Sequence, residues 1–156
     1  MKQLLTDASV KLRLCRELRF VPEEIVDWND RDFLPVMNRS QSEGVLIAPL
    51  ETLHVVAFRL QKRRANSVGR VEAIICDICA TWQRGSNSAV ITFPKANSSV
   101  SFLVCADLNC SRHVRDKTEQ SKFSRTQLRE NMTSEARQER LKVRLRNIVQ
   151  ELVVDN

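Results

Sequence analysis

The chain has 156 residues, 42% of them hydrophobic and 28% charged, which suits one compact domain of ordinary size. Three glycines and four prolines exclude a collagen-like or low-complexity chain, and no apolar run approaches the roughly 20 residues that a bilayer-spanning helix requires. Lys and Arg number 25 against 19 Asp and Glu, a net charge of +6 that favours an acidic partner, nucleic acid or protein, without choosing between them.

At the start of the chain, Leu4, Leu5, Ala8, Leu12, Cys15 and Leu18 fall at helical spacing, with Thr6 available as a cap and Val21-Pro22 as a stop. Asp7, Lys11 and Arg13 interrupt any secretory hydrophobic stretch, so a soluble, unexported protein of the cytoplasm is expected. From Glu23 to Asp32 five carboxylates face the single base Arg31. Trp28 and Phe33 in this acidic stretch are read as anchors to the core, because carboxylates repel phosphates.

Between Gly44 and Leu60, β-branched residues flank a short Pro-containing break, which predicts an antiparallel hairpin. Ala89 to Phe93 and Val100 to Val104 predict a second. In the last third, Thr133 or Ser134 can cap a helix in which Leu141, Leu145, Ile148 and Leu152 form one apolar stripe. Arg137, Arg140, Lys142, Arg144 and Arg146 are expected on its other faces. The segment from Ser111 to Arg146 holds eleven bases against five acids, an excess equal to the net charge of the whole chain. The expected fold class is α+β: an N-terminal helical and acidic segment over 1–43, β-hairpins and a cysteine-rich finger over 44–132, and a basic amphipathic helix over 133–156 packing on the same core.

Five cysteines are an odd number for a disulfide framework, and four of them fall into two close pairs. Cys76-Asp77-Ile78-Cys79 is followed, after 25 intervening residues, by Cys105-Ala106-Asp107-Leu108-Asn109-Cys110. Two residues between thiolates let one tight turn present both sulfurs to a single ion, and four thiolates close the shell of a structural zinc. The interval holds the second predicted hairpin, and the second pair stands where a strand ending at Val104 gives way to a helix-like segment from Cys110 to about Lys117. Knuckle, hairpin and a helix carrying the last ligands is the order of a treble-clef finger. Buried reduced thiols or a redox-active pair are the competing readings; the second has no thioredoxin-like pattern behind Cys79. Cys15 is read as a packing residue, His54 as a half-buried strand residue, and His113 as a bystander that could replace a ligand. There is no glycine-rich phosphate loop, no Ser/His/Asp grouping and no HExxH, so neither an enzyme nor a small-molecule substrate is expected.

The two cysteine motifs, together with His113-Val114-Arg115 and the long basic helix behind them, resemble the treble-clef zinc-finger domain of elongation factor G-binding proteins, the family that includes fusidic acid resistance proteins. Asp27-Trp28-Asn29-Asp30-Arg31-Asp32-Phe33-Leu34 is similar to the short single-domain members from actinobacteria. The resemblance implies that Cys76, Cys79, Cys105 and Cys110 bind one structural Zn²⁺. It also implies a non-enzymatic factor that docks on the translocation GTPase at the ribosome. Arg112, Arg115, Lys117, Lys122 and Arg125 would then present a positive face to an acidic protein surface. The same bases could instead neutralise phosphates of ribosomal RNA, with Trp82 as the aromatic available for stacking; a lid over the metal site is the other reading of Trp82.

Overall fold

The computed structural model describes residues 27–153. The predicted N-terminal helix and Cys15 lie outside them. Seven strands and three helices follow in chain order: β1 Leu34–Met37, β2 Glu43–Pro49, β3 Leu53–Lys62, β4 Ile74–Ile75, β5 Trp82–Gln83, β6 Ser88–Pro94, β7 Ser99–Cys105, α1 Cys110–Val114, α2 Glu119–Leu128 and α3 Ser134–Val153. The α+β class is as expected. The two predicted hairpins are β2–β3 and β6–β7, and they join into one antiparallel sheet of order β1-β2-β3-β6-β7.

The sheet buries both faces at β2, where Val45, Leu46, Ile47 and Ala48 are all inaccessible. Alternation sends them opposite ways. Leu46 and Ala48 join Phe58, Leu60, Ile91, Phe93 and Val104 in the main core, which Leu141, Leu145, Ile148 and Leu152 of α3 close from above. The predicted apolar stripe is therefore the buried one. Val45 and Ile47 face the other way, among Trp28, Leu34, Val36, Val55 and Ala57. Gly44 sits where β1 crosses close: a Cβ there would lie 2.5 Å from the Val36 carbonyl oxygen.

Residues 63–87 leave the sheet after β3 and return at β6, and they carry the small β4–β5 ribbon with the first cysteine pair between its strands. This ribbon is docked on the free edge of β7. The Asp77 amide donates to the Leu103 carbonyl at 2.7 Å, and the Leu103 amide donates to the Asp77 carboxylate at 2.6 Å, so one aspartate pairs with the edge as a strand residue would.

The helices depart from expectation in three places. The helix opened by Cys110 ends at Val114, because Asp116 turns left-handed with φ 57°. Helix α2 has no apolar stripe to announce it; it is capped by Thr118, whose hydroxyl accepts from the Ser121 amide, and it buries Ser121 and Ser124. Arg137 is not on an exposed face. It is buried and donates to the carbonyls of Val114 and Met132 and to the Asp116 carboxylate, tying α3 to the end of α1.

Candidate metal centre

The first cysteine pair stands on the knuckle between β4 and β5. The Ala80 amide donates to the Cys76 carbonyl at 2.8 Å and the Cys76 amide to the Thr81 carbonyl at 2.9 Å, closing a tight loop that requires Ala80 at φ 55°. Cys105 is the last residue of β7 and Cys110 the first of α1. The four residues between them turn through Leu108 at φ 50°, whose side chain is buried in the core and so holds a backbone conformation uncommon outside glycine.

All four thiols are buried and unbridged. Their sulfurs lie 3.8 Å apart for Cys76 and Cys110, 3.6 Å for Cys79 and Cys105, and 3.8 Å for Cys105 and Cys110. Disulfide sulfurs are about 2.05 Å apart, whereas a tetrahedron with metal–sulfur bonds of about 2.3 Å has edges of about 3.8 Å. The spacing is that of a closed metal shell. Burial alone would push the Cys76 thiol up, yet hydrogen bonds from Cys105, Cys110 and Cys79 carry it well below the ordinary 9.0. Burial pushes Cys105 well above it, and hydrogen bonds to the other three sulfurs do the same to Cys110. A divalent cation among the sulfurs favours the thiolate form of all four.

Residues beyond the cysteines complete the site. Thr81 Oγ1 lies 2.8 Å from Cys79 Sγ and accepts from the wholly buried Gln83 amide at 2.6 Å, and Gln83 Oε1 accepts from Asn87 at 2.9 Å. Arg144, from α3, donates to the carbonyls of Cys76 and Asp77 at 3.4 and 3.0 Å and brings a positive charge beside a site whose four thiolates and zinc sum to −2. Nothing local in the sequence marks Thr81, Gln83 or Arg144. Of the cations nearest in sequence, Arg84 lies instead over the Phe123 ring, 4.8 Å from its centroid.

The basic segment expected to face a partner is largely paired within the fold. Arg115 donates to the buried Asp32 carboxylate at 2.5 and 3.2 Å, Lys117 pairs with Asp30, Arg125 with Asp116 at 3.3 Å, and Lys122 with Glu119 at 3.0 Å. The acidic stretch and the basic stretch thus meet each other. Arg112 is exposed and pairs with no carboxylate among the described residues. Trp82 packs on α2 rather than standing alone: its ring is 5.2 Å from that of Phe123, and its amide donates to Ser124 Oγ at 2.7 Å. Arg84, Gln120, Lys122 and Phe123 line an open cavity of about 380 Å³ on that side. His54 lies half-buried on β3, within reach of Thr52 Oγ1 at 3.2 Å and away from the cysteines.

A zinc knuckle, a β-hairpin and a helix that supplies the last sulfur define a treble-clef zinc finger, here built for one structural Zn²⁺. The family model described as the FBP C-terminal treble-clef zinc-finger matches residues 11–152, and the chain belongs to that family. No curated protein and no solved structure matches it. No helix among the described residues is long and apolar enough to cross a membrane.

Proposed function

We propose that the chain is a non-enzymatic docking factor of translation, acting in the cytoplasm on elongation factor G or on the ribosome that carries it. Membership of the FBP zinc-finger family supports this reading, together with a metal site whose four sulfurs leave no coordination position for a reactant. The metal contributes rigidity: it fixes the knuckle, the β7 edge and α1 in one arrangement, so the docking surface loses little entropy on binding.

The surface is narrower than the run of bases in the sequence. Arg115, Lys117 and Arg125 tie the acidic and basic stretches together, which leaves exposed Arg112 and Arg84, and Lys122 with its surface ion pair to Glu119, as the cations best placed to steer an acidic protein face. Association with purified elongation factor G is expected to accelerate as salt is lowered. Arg112→Glu and Lys122→Glu should each slow it several-fold while zinc content stays unchanged. No binding at low salt would reject the reading.

One observation favours RNA as the second reading. Phe123 is exposed beside Trp82 and carries the Arg84 guanidinium on its face, a combination of ring and cation that also suits an unstacked base and its phosphate. Capture from a bacterial lysate with and without ribonuclease separates the two. A complex that survives ribonuclease supports the protein partner, and one that is lost with it, and is lost again in Phe123→Ala at full zinc content, supports RNA.

A further inference from the structure

His113 is one of the most deeply buried polar residues of the fold, and its Nε2 has no hydrogen-bond partner. Its Nδ1 is held by Thr118 Oγ1 at 2.7 Å, which fixes the ring plane and aims Nε2 away from α2. Asp107 Oδ1 stands 3.5 Å from Nε2, and the donor atoms that His113, Asp107 and Cys105 offer lie within 4.8 Å of one another. A distance of 3.5 Å is long for a hydrogen bond. It is close to the separation of about 3.3 Å between a nitrogen and an oxygen that share one tetrahedral metal at bonds of about 2.0–2.1 Å.

Charge points the same way. The zinc-loaded cage carries −2, and the Asp107 carboxylate adds a further negative charge beside it. Arg144, which offsets the cage, binds the Cys76 and Asp77 carbonyls on the knuckle rather than this corner. Asp107 is 36% exposed, so the corner is open to ions from solvent on one side and closed by His113 and the sulfur on the other.

We propose that Cys105, Asp107 and His113 form a second divalent-metal site, completed by water and sharing the Cys105 thiolate with the structural zinc. The proposal rests on the zinc reading of the four cysteines, since it needs Cys105 as a bridging thiolate with lone pairs to spare. One sulfur, one imidazole and one carboxylate suit zinc or cobalt and not magnesium or calcium, which take oxygen shells. With three protein ligands the second ion is held less tightly than the first and exchanges with solvent.

The experiment is a zinc titration of the full-length, zinc-loaded chain, with bound metal counted by elemental analysis after equilibrium dialysis and with circular dichroism as a check on the fold. Two ions per chain are expected in the native protein, one of them removed by a mild chelator. Asp107→Asn, an exposed change, and His113→Gln, which can still reach Thr118, should each lose that second ion and keep the first. Cobalt added to the zinc-loaded protein should show a thiolate-to-cobalt absorption band that disappears in Asp107→Asn. Uptake of a single ion by the native chain overturns the proposal and leaves the His113–Asp107 contact alone in this corner. A second ion that persists in both variants overturns it as well. A native chain that retains no ion against the mild chelator overturns the four-cysteine reading itself, a result distinct from either.

Discussion

At the scale of single residues, Asp32 and Arg115 carry more of the fold than their surface-like chemistry suggests. Their side chains are 1% and 8% exposed, and the Asp32 amide also donates to the Ser111 hydroxyl oxygen at 2.9 Å. Asp32→Ala leaves a buried guanidinium without its counter-charge and should destabilise the protein by roughly 3–5 kcal/mol in urea unfolding, while zinc content at neutral pH is retained. Asp30 offers a gentler test. The hydrogen bond from Lys117 holds its carboxyl below the ordinary 3.8. The folded value is depressed, so the contribution is fully present above about pH 4 and is lost as pH falls through that folded value. The stability difference between the native chain and Asp30→Asn should therefore shrink below about pH 4, measured by urea midpoints at each pH. The four cysteines were legible because ligand spacing is a local pattern. Thr81, Gln83 and Arg144 were not, since a hydrogen bond from Arg144 to a carbonyl 67 residues earlier leaves no local trace.

At the scale of elements, periodicity found what packs by its apolar face and missed what packs otherwise. Strand β7 and the stripe of α3 repeat at their proper periods, and β2, β3 and β6 stand out by runs of β-branched and apolar residues. Strand β1 is four residues with a proline at its second position, and β4 and β5 are two residues each, too short to show a period. Helix α2 puts serines where a core helix would put leucines, because its inner face meets the backbone of β5: Ser124 and Gln120 bond the Trp82 amide and carbonyl. The return from the ribbon to β6 is equally specific. A Cβ on Gly85 would fall 1.8 Å from the Val71 carbonyl oxygen, a backbone atom that cannot swing aside. Gly85→Ala should cost about 1–3 kcal/mol and loosen β5 against α2, which tryptophan fluorescence of Trp82 would report.

For the molecule as a whole, the metal site and the hydrophobic core are one body. The four cysteines belong to the same buried cluster as Phe58, Ile91, Leu141 and Leu145, so losing the ion removes a corner of the core. Apparent binding energies of structural zinc run to about 10–16 kcal/mol, more than a domain's usual net stability. A strong chelator, or Cys79→Ser, is therefore expected to abolish cooperative thermal unfolding rather than shift it by a few degrees. Leu145→Ala should lower stability by about 2–5 kcal/mol with the ion still bound, so the two experiments separate the metal's share from that of packing.

Lys62 and Ala89 are direct neighbours across β3 and β6, although the chain travels through the whole ribbon between them. The ribbon is in that sense a detour: a short hairpin turn could replace residues 63–87 and leave every strand of the large sheet with its present partners. Such a shortened chain would keep Cys105 and Cys110 of the four site thiols and forfeit Cys76 and Cys79. It would show whether the remaining architecture is a self-sufficient scaffold onto which a metal-binding excursion has been spliced, or whether sheet and excursion are obliged to fold together.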